Sequence, residues 1–308
     1  MFGVDPGASR RKKTWWAVLL SLRTGLAFLC GTLVAALIAY WLSGWDIPKQ
    51  NDKQKEYDAS QAPFTVSVRP EKGDPRQEWV MVLDRELTAA ETRKLTSSTD
   101  GPTAFSYLKA LGGHPLEYPA MLEHAPEQYL KRMSHDGTEL SDTFKMSVLS
   151  TRASAVVIDD WKVTDVLCRP STAKTVVAHP PQGEAVYQGI RLHVPPWVGE
   201  PVLTDDTEGQ GEPYFDTHYI EVGGGQSSGG LRVEAIAPRG QSCEWGIKVH
   251  YVDAYQREHW IQLKDGKGKP LRIRTESVPL HPRQKWFFGS IPWTPCHLKP
   301  KDIACEPL

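Results

Sequence analysis

Asparagine is nearly absent. Asn51 is the only one in 308 residues and stands in Asn-Asp-Lys, so the chain carries no N-glycosylation acceptor. Such scarcity goes with GC-rich coding and hence with bacteria, by association rather than by physics. A surplus of charge is missing too, with 36 Lys and Arg against 37 Asp and Glu. Nucleic-acid binding needs a basic face, and this balance argues against it. Neither H-E-x-x-H, nor a Walker A loop, nor G-x-G-x-x-G occurs. Ser171-Thr-Ala-Lys174 has the S-x-x-K spacing of penicillin-binding enzymes, but the partner motifs that complete that chemistry are lacking. The ten histidines are scattered and never fall at ligand spacing. The sequence therefore assigns no catalytic residue, cofactor-binding residue or metal ligand.

What is present is one long apolar run, Thr24–Trp45, whose only ionisable side chains are Cys30 and Tyr40. As a helix its 22 residues span about 33 Å, enough for a hydrocarbon core of about 30 Å. Arg10, Arg11, Lys12 and Lys13 precede it, and Trp15, Trp16, Trp41 and Trp45 bracket it in the interfacial pattern. Residues 1–45 hold five basic residues against Asp5, a surplus of four; the remaining 263 residues carry a net charge of −5 to reach the overall −1. The positive-inside rule puts residues 1–23 in the cytoplasm, a transmembrane helix at 24–45 and the bulk outside. The run is longer than a cleavable signal's apolar core and ends in Tyr40, Trp41 and Leu42, which favours an uncleaved signal-anchor over a signal peptide. Ser9-Arg10-Arg11 suggests a twin-arginine signal, but Lys13 stands where an apolar residue belongs.

Outside the run lie four cysteines, Cys168, Cys243, Cys296 and Cys305. In an oxidising compartment they permit three disulfide connectivities. The favoured one joins Cys296 with Cys305 within the proline-rich tail and Cys168 with Cys243 across a β core. Four free thiols are the alternative. A zinc site is less favoured, because Cys296 and Cys305 lack the short ligand spacing, although His297 adjoins one of them.

Residues 46–62 are polar and read as a stalk. Residues 63–142 read as a strand pair, Phe64–Arg69 and Glu78–Leu83, followed by a helical insert. The insert has a capping box at Thr88-Ala-Ala-Glu91, a helix over Thr103–Leu111 and another over Tyr118–Met133 that Pro126 kinks or splits. In the last, Leu122, Tyr129, Leu130 and Met133 recur at helical spacing. Residues 143–275 hold short runs rich in Val, Ile, Thr and aromatics between Gly, Pro and Asp turns, which predict an antiparallel β-sandwich. Pro195–Pro213 and Gly223–Gly230 read as loops, Asp159-Asp160 as a turn, and Gly266–Lys269 as a hairpin turn. Asp205, Asp206 and Glu208 read as a solvated acidic loop, and His250 and His259 as solvated strand positions. In the tail, residues 276–308, Trp286, Phe287, Phe288 and Trp293 are expected to pack back on the domain.

Within Thr143–Thr275, the strand ending at Cys168, Pro180–Glu184, Tyr214-Phe215 with His218, Cys243-Glu-Trp245, and Asp265-Gly ahead of Lys269-Pro270 form a running pattern. It resembles the ectodomain of uncharacterised single-pass membrane proteins of actinobacteria. The resemblance covers a little under half the chain. It implies an extracytoplasmic β domain and a paired Cys168 and Cys243, and it transfers no activity. The expected function is a membrane-anchored extracytoplasmic binding or scaffold protein of the bacterial envelope. Its expected partners are the lipid bilayer, through residues 24–45, and an envelope or membrane protein. The alternatives are an envelope enzyme whose site is assembled from dispersed residues, or a sensor with a short cytoplasmic end.

Overall fold

The computed structural model describes residues 53, 56–58, 62–71, 76, 78–119, 124–132, 139–180, 189–205, 209–225, 229–289 and 293–305. The apolar run at 24–45 lies outside these residues. Among the described residues no helix is long and apolar enough to cross a membrane. Met1–Gln61 and Ala62–Leu308 are separate units. Of the first, residues 53 and 56–58 are described and are helical.

In chain order the strands of the second are β1 (Thr65–Pro70), β2 (Trp79–Leu83), β3 (His114–Leu116), β4 (Asp142–Leu149), β5 (Ala155–Pro170), β6 (Thr175–His179), β7 (Gly189–His193), β8 (Leu203–Thr204), β9 (Ile220–Gly223), β10 (Gly229–Ile236), β11 (Gln241–Asp253), β12 (Glu258–Gln262), β13 (Ile273–Thr275), β14 (Gln284–Phe287) and β15 (Thr294–Pro295). The helices are α1 (Ala89–Thr96), α2 (Gly101–Ala110), α3 (Glu127–Arg132) and α4 (Tyr214–Thr217). Three sheets result, in the orders β1-β4-β10-β7-β8, β12-β11-β5-β9 with β13 also on β11, and β15-β14-β6-β2-β3.

The first two sheets share one core. Alternation in β1 and β4 turns Val66, Phe144, Met146 and Val148 inward, where they meet Val156, Ile158, Trp161, Trp245 and Ile247 of the second sheet. The third sheet is sealed on both faces. Trp79, Met81 and Val177 pack under Leu95, Phe105 and Leu108 of α1 and α2, with Trp293 closing the edge. Val80, Val82 and Val176 pack with Leu116, Phe287, Cys296 and Cys305 on the other side. The tail aromatics are thus core residues: Trp286, Phe287 and Trp293 are buried, and β14 belongs to the third sheet. α1 begins with the capping box foreseen, Thr88 accepting from the Glu91 N–H and Glu91 accepting from the Thr88 N–H. Asp100 caps α2 by accepting from the Thr103 N–H at 2.7 Å.

Several expectations are corrected. β1 and β2 are not a pair: β1 joins β4, while β2 joins β6 and β3 in a different sheet. The second sheet is antiparallel as expected, but the first and third are mixed, because β7 runs parallel to β10 and β14 parallel to β6. Long connections containing other elements permit those crossovers. Of Tyr118–Met133 the helix keeps Glu127–Arg132, starting after Pro126, whose carbonyl accepts from Tyr129 and Leu130. Tyr129 is buried and Leu130 exposed, so these two do not share a face; Leu122 and Met133 lie outside the described residues. Asp159-Asp160 is no turn. β5 runs straight through it, and the pairing with β11 slips there by a β-bulge. Gly229 and Gly230 belong to β10 rather than to a loop.

Both disulfides form with the favoured connectivity, Cys168–Cys243 and Cys296–Cys305. The first lies within the second sheet, between facing residues of neighbouring strands β5 and β11, and not across the core.

Candidate binding cleft

A cavity of about 740 Å³ opens where the three sheets meet. Its walls contain Val66, Ser67 and Val68 of β1, His114 of β3, and the run Leu271, Arg272, Ile273 and Arg274 entering β13. Successive residues of a strand point to opposite faces. A cavity that touches three or four in a row therefore meets the strand edge-on. Among the described residues β1 pairs with β4 alone and β13 with β11 alone, so each presents a second edge. A volume of this size falls within the range of about 300–1,000 Å³ usual for ligand sites.

The floor is apolar, with Val66, Val68, Val82, Phe144, Leu271 and Ile273. The polar groups are mostly committed. Asp84 accepts from the Thr172 hydroxyl, and Asp265 accepts from the Lys267 and Lys269 N–H groups. The Arg274 guanidinium donates to Ser242 and pairs with Glu276. His114 Nε2 lies 2.9 Å from Asp142, which also accepts from the Glu276 N–H. Burial works to lower the His114 pKa. The hydrogen bond and charge of Asp142, with Glu276 behind, outweigh it, so His114 titrates above its ordinary value.

Behind the cleft, the outer face of the first sheet is buried and charged. In β7, Ile190 and Leu192 face the core while Arg191 and His193 face away, and both of the latter are buried. Arg191 reaches Asp205 at 3.0 Å and Glu234 at 2.8 Å. Arg232 contacts Glu71, Glu117, Asp205 and Glu234. Four carboxyls thus share two guanidiniums. Burial and the Glu234 charge push Asp205 up to about 7. Burial also acts to raise Glu234, but the two guanidiniums win and hold it below the ordinary carboxylate range. Glu234 keeps the charge and Asp205 takes the proton. A second cavity of about 390 Å³ adjoins His193, Trp197 and Glu200. There His193 Nδ1 sits 2.5 Å from Glu200, under the Tyr129 ring at 4.5 Å.

Two glycines allow this layer. A Cβ at Gly189 would come within 2.5 Å of the Arg232 carbonyl oxygen, so only glycine permits β7 to lie against β10 there. Gly211, at φ +92°, approaches Ala125 just before α3; the neighbouring Gln210 carbonyl accepts from the His124 N–H.

The sequence missed most of this. Arg191, Arg232 and Glu234 read as ordinary strand positions, because alternation marks a residue as facing away from one core and says nothing of a cover. Asp205 is corrected from solvated to fully buried; Asp206 and Glu208 lie outside the described residues. His250, expected to be solvated, is half-buried and bonds Asp159 at the bulge. Ser171 and Lys174 are backbone anchors: the Ser171 N–H donates to Gly240 and the Lys174 N–H to Leu83. Gly266–Lys269 is the hairpin turn expected, closed by the Asp265 N–H bonding to Lys269. The spacing G-x-S-x-G occurs at Gly225–Gly229. It joins two strands, β9 and β10, rather than a strand to a helix as a nucleophile elbow requires, and Ser227 lies outside the described residues. Among the described residues no group of three or more His, Cys, Asp or Glu side chains is placed to hold a metal ion.

Comparison with protein-family models, curated proteins and solved structures finds no match to this chain.

Proposed function

We propose that the chain is a binding or scaffold protein of the bacterial cell envelope. Residues 24–45 anchor it, residues 1–23 lie in the cytoplasm, and the β body from residue 62 lies outside. Two disulfides support an oxidising compartment for the body. The observation that carries the reading is the cleft: an apolar floor between strand edges, with its acidic side chains already engaged by structural partners. Such a surface recognises rather than reacts.

A photo-crosslinking residue at Ser67, inside the cleft, tests it in intact cells of the source bacterium. Irradiation is expected to give a discrete higher-mass adduct that the same residue at exposed Tyr219 does not. Identical patterns from both positions, or none, would remove the binding role.

A second reading, an envelope enzyme, is favoured by His114, a proton-holding group at the cleft wall with a carboxylate behind it. Hydrolysis of cell-wall or peptide substrates that His114→Gln abolishes would replace the first reading with this one.

A further inference from the structure

Resting on that binding role, we infer that the cleft takes an extended peptide segment of a partner protein, added as a strand along the free edge of β1. A strand edge offers a row of unpaired N–H and C=O groups, a template for main-chain pairing by any sequence. β1 supplies six residues, about 20 Å of edge, and the row ends at Pro70, which has no N–H to offer. Val66, Ser67 and Val68 all face the cavity because it runs along their edge. The facing wall, Leu271–Arg274, contributes the apolar side chains of Leu271 and Ile273.

The side chains state which peptide fits. Val66, Val68, Leu271, Ile273 and Phe144 offer apolar contact to every second residue of an added strand. In the walls, Arg272 is held by Asp165 and Arg274 by Glu276. The turn that brings Asp265 and Gly266 to the cavity also carries Lys264, Lys267 and Lys269, which make its edge cationic. The Asp265 carboxylate is occupied by the turn amides of Lys267 and Lys269. The complementary segment alternates apolar with acidic residues, the acids lying at the rim.

The test uses the full chain and a fluorescein-labelled, end-capped ten-residue peptide in which valine alternates with glutamate. Fluorescence anisotropy is expected to show saturable binding, and hydrogen exchange is expected to slow at alternate amides of Thr65–Arg69. Two further peptides carry N-methyl groups on the odd or on the even amides. One set faces β1 and its methylation is expected to weaken binding about tenfold or more, the loss of two or so hydrogen bonds. The other set is expected to bind within about threefold of the parent. Lys267→Glu with Lys269→Glu is expected to weaken this peptide about tenfold and to favour a valine–lysine counterpart.

Equal binding by both methylated peptides, unchanged exchange in β1, or no binding at millimolar peptide each overturns the inference. Self-association of the chain through β1, competed by the peptide, reassigns the slot to a second copy. A cellular adduct at Ser67 alongside peptide indifference leaves the binding role standing and removes only the strand addition.

Discussion

Arg191→Met tests the buried charge layer most sharply. Arg191 is fully buried and meets Glu234 and Asp205 within 3.0 Å. Without it, Arg232 is the one guanidinium left to Glu117, Asp205 and Glu234, while Glu71 also keeps Lys145 at 3.0 Å. Asp205 already holds a proton near neutrality, so one further carboxyl must take one. For a glutamate of ordinary pKa near 4.3, holding a proton at pH 7 costs about 3.7 kcal/mol, at about 1.36 kcal/mol per pH unit. That agrees with the roughly 3–5 kcal/mol found when one partner of a buried pair is removed. At pH 5 the same proton costs only about 1 kcal/mol. Urea denaturation followed by tryptophan fluorescence at both pH values is the assay. The variant is expected to be about 3–4 kcal/mol less stable than the parent at pH 7 and to recover most of the difference at pH 5. A penalty that is equal at the two pH values would refute the shared-proton reasoning and leave only lost packing.

Asp205→Asn is expected to stabilise the protein above pH 7 and to change little at pH 4. The native carboxyl is raised to about 7, so its contribution falls as pH climbs from the unfolded pKa near 3.9 toward 7, a dependence the amide lacks; thermal melts across pH 4–8 check it. His114 is raised in the fold, so its pairing with Asp142 stabilises fully below the unfolded value near 6.5 and is lost as pH rises past the folded one. His114→Gln should therefore cost a few tenths of a kcal/mol at pH 5.5 and nothing at pH 9, a small effect because the side chain is partly exposed. Replacing Cys168 and Cys243 by serine removes a cross-link spanning 75 residues and is expected to cost about 4 kcal/mol, against roughly 2.5 for the 9-residue Cys296–Cys305 pair; the reverse order in urea melts would contradict the loop-entropy account. Trp293→Ala, which empties a site against Trp79 and Phe288 and frees the Ser98 carbonyl, is expected to cost about 3–5 kcal/mol by the same assay.

Much of the secondary structure was legible because it is local. Alternation in β1 and β11, the Thr88–Glu91 capping box and the breaking proline at Pro126 act within a few residues. The mainly β class followed from strand texture, and of the three cysteine connectivities left open the favoured one forms. Pairing partners were less legible, since nothing in Phe64–Arg69 announces that β1 meets β4 rather than β2. Asp159-Asp160 misled because a bulge and a turn use the same residues. Arg191 and Glu234 were hidden because two sequence-distant strands put them side by side under a cover that alternation does not encode. The cleft was hidden for the same reason: strand edges acquire a shared wall only after three sheets assemble.

Residue-resolved hydrogen exchange, run on the chain in unfractionated lysate of its source cells and again on the purified chain, tests the cleft most directly. An occupied β1 edge slows alternate amides between Thr65 and Arg69 in the lysate and releases them on purification. The same exchange pattern in both preparations would contradict a partner strand in the slot.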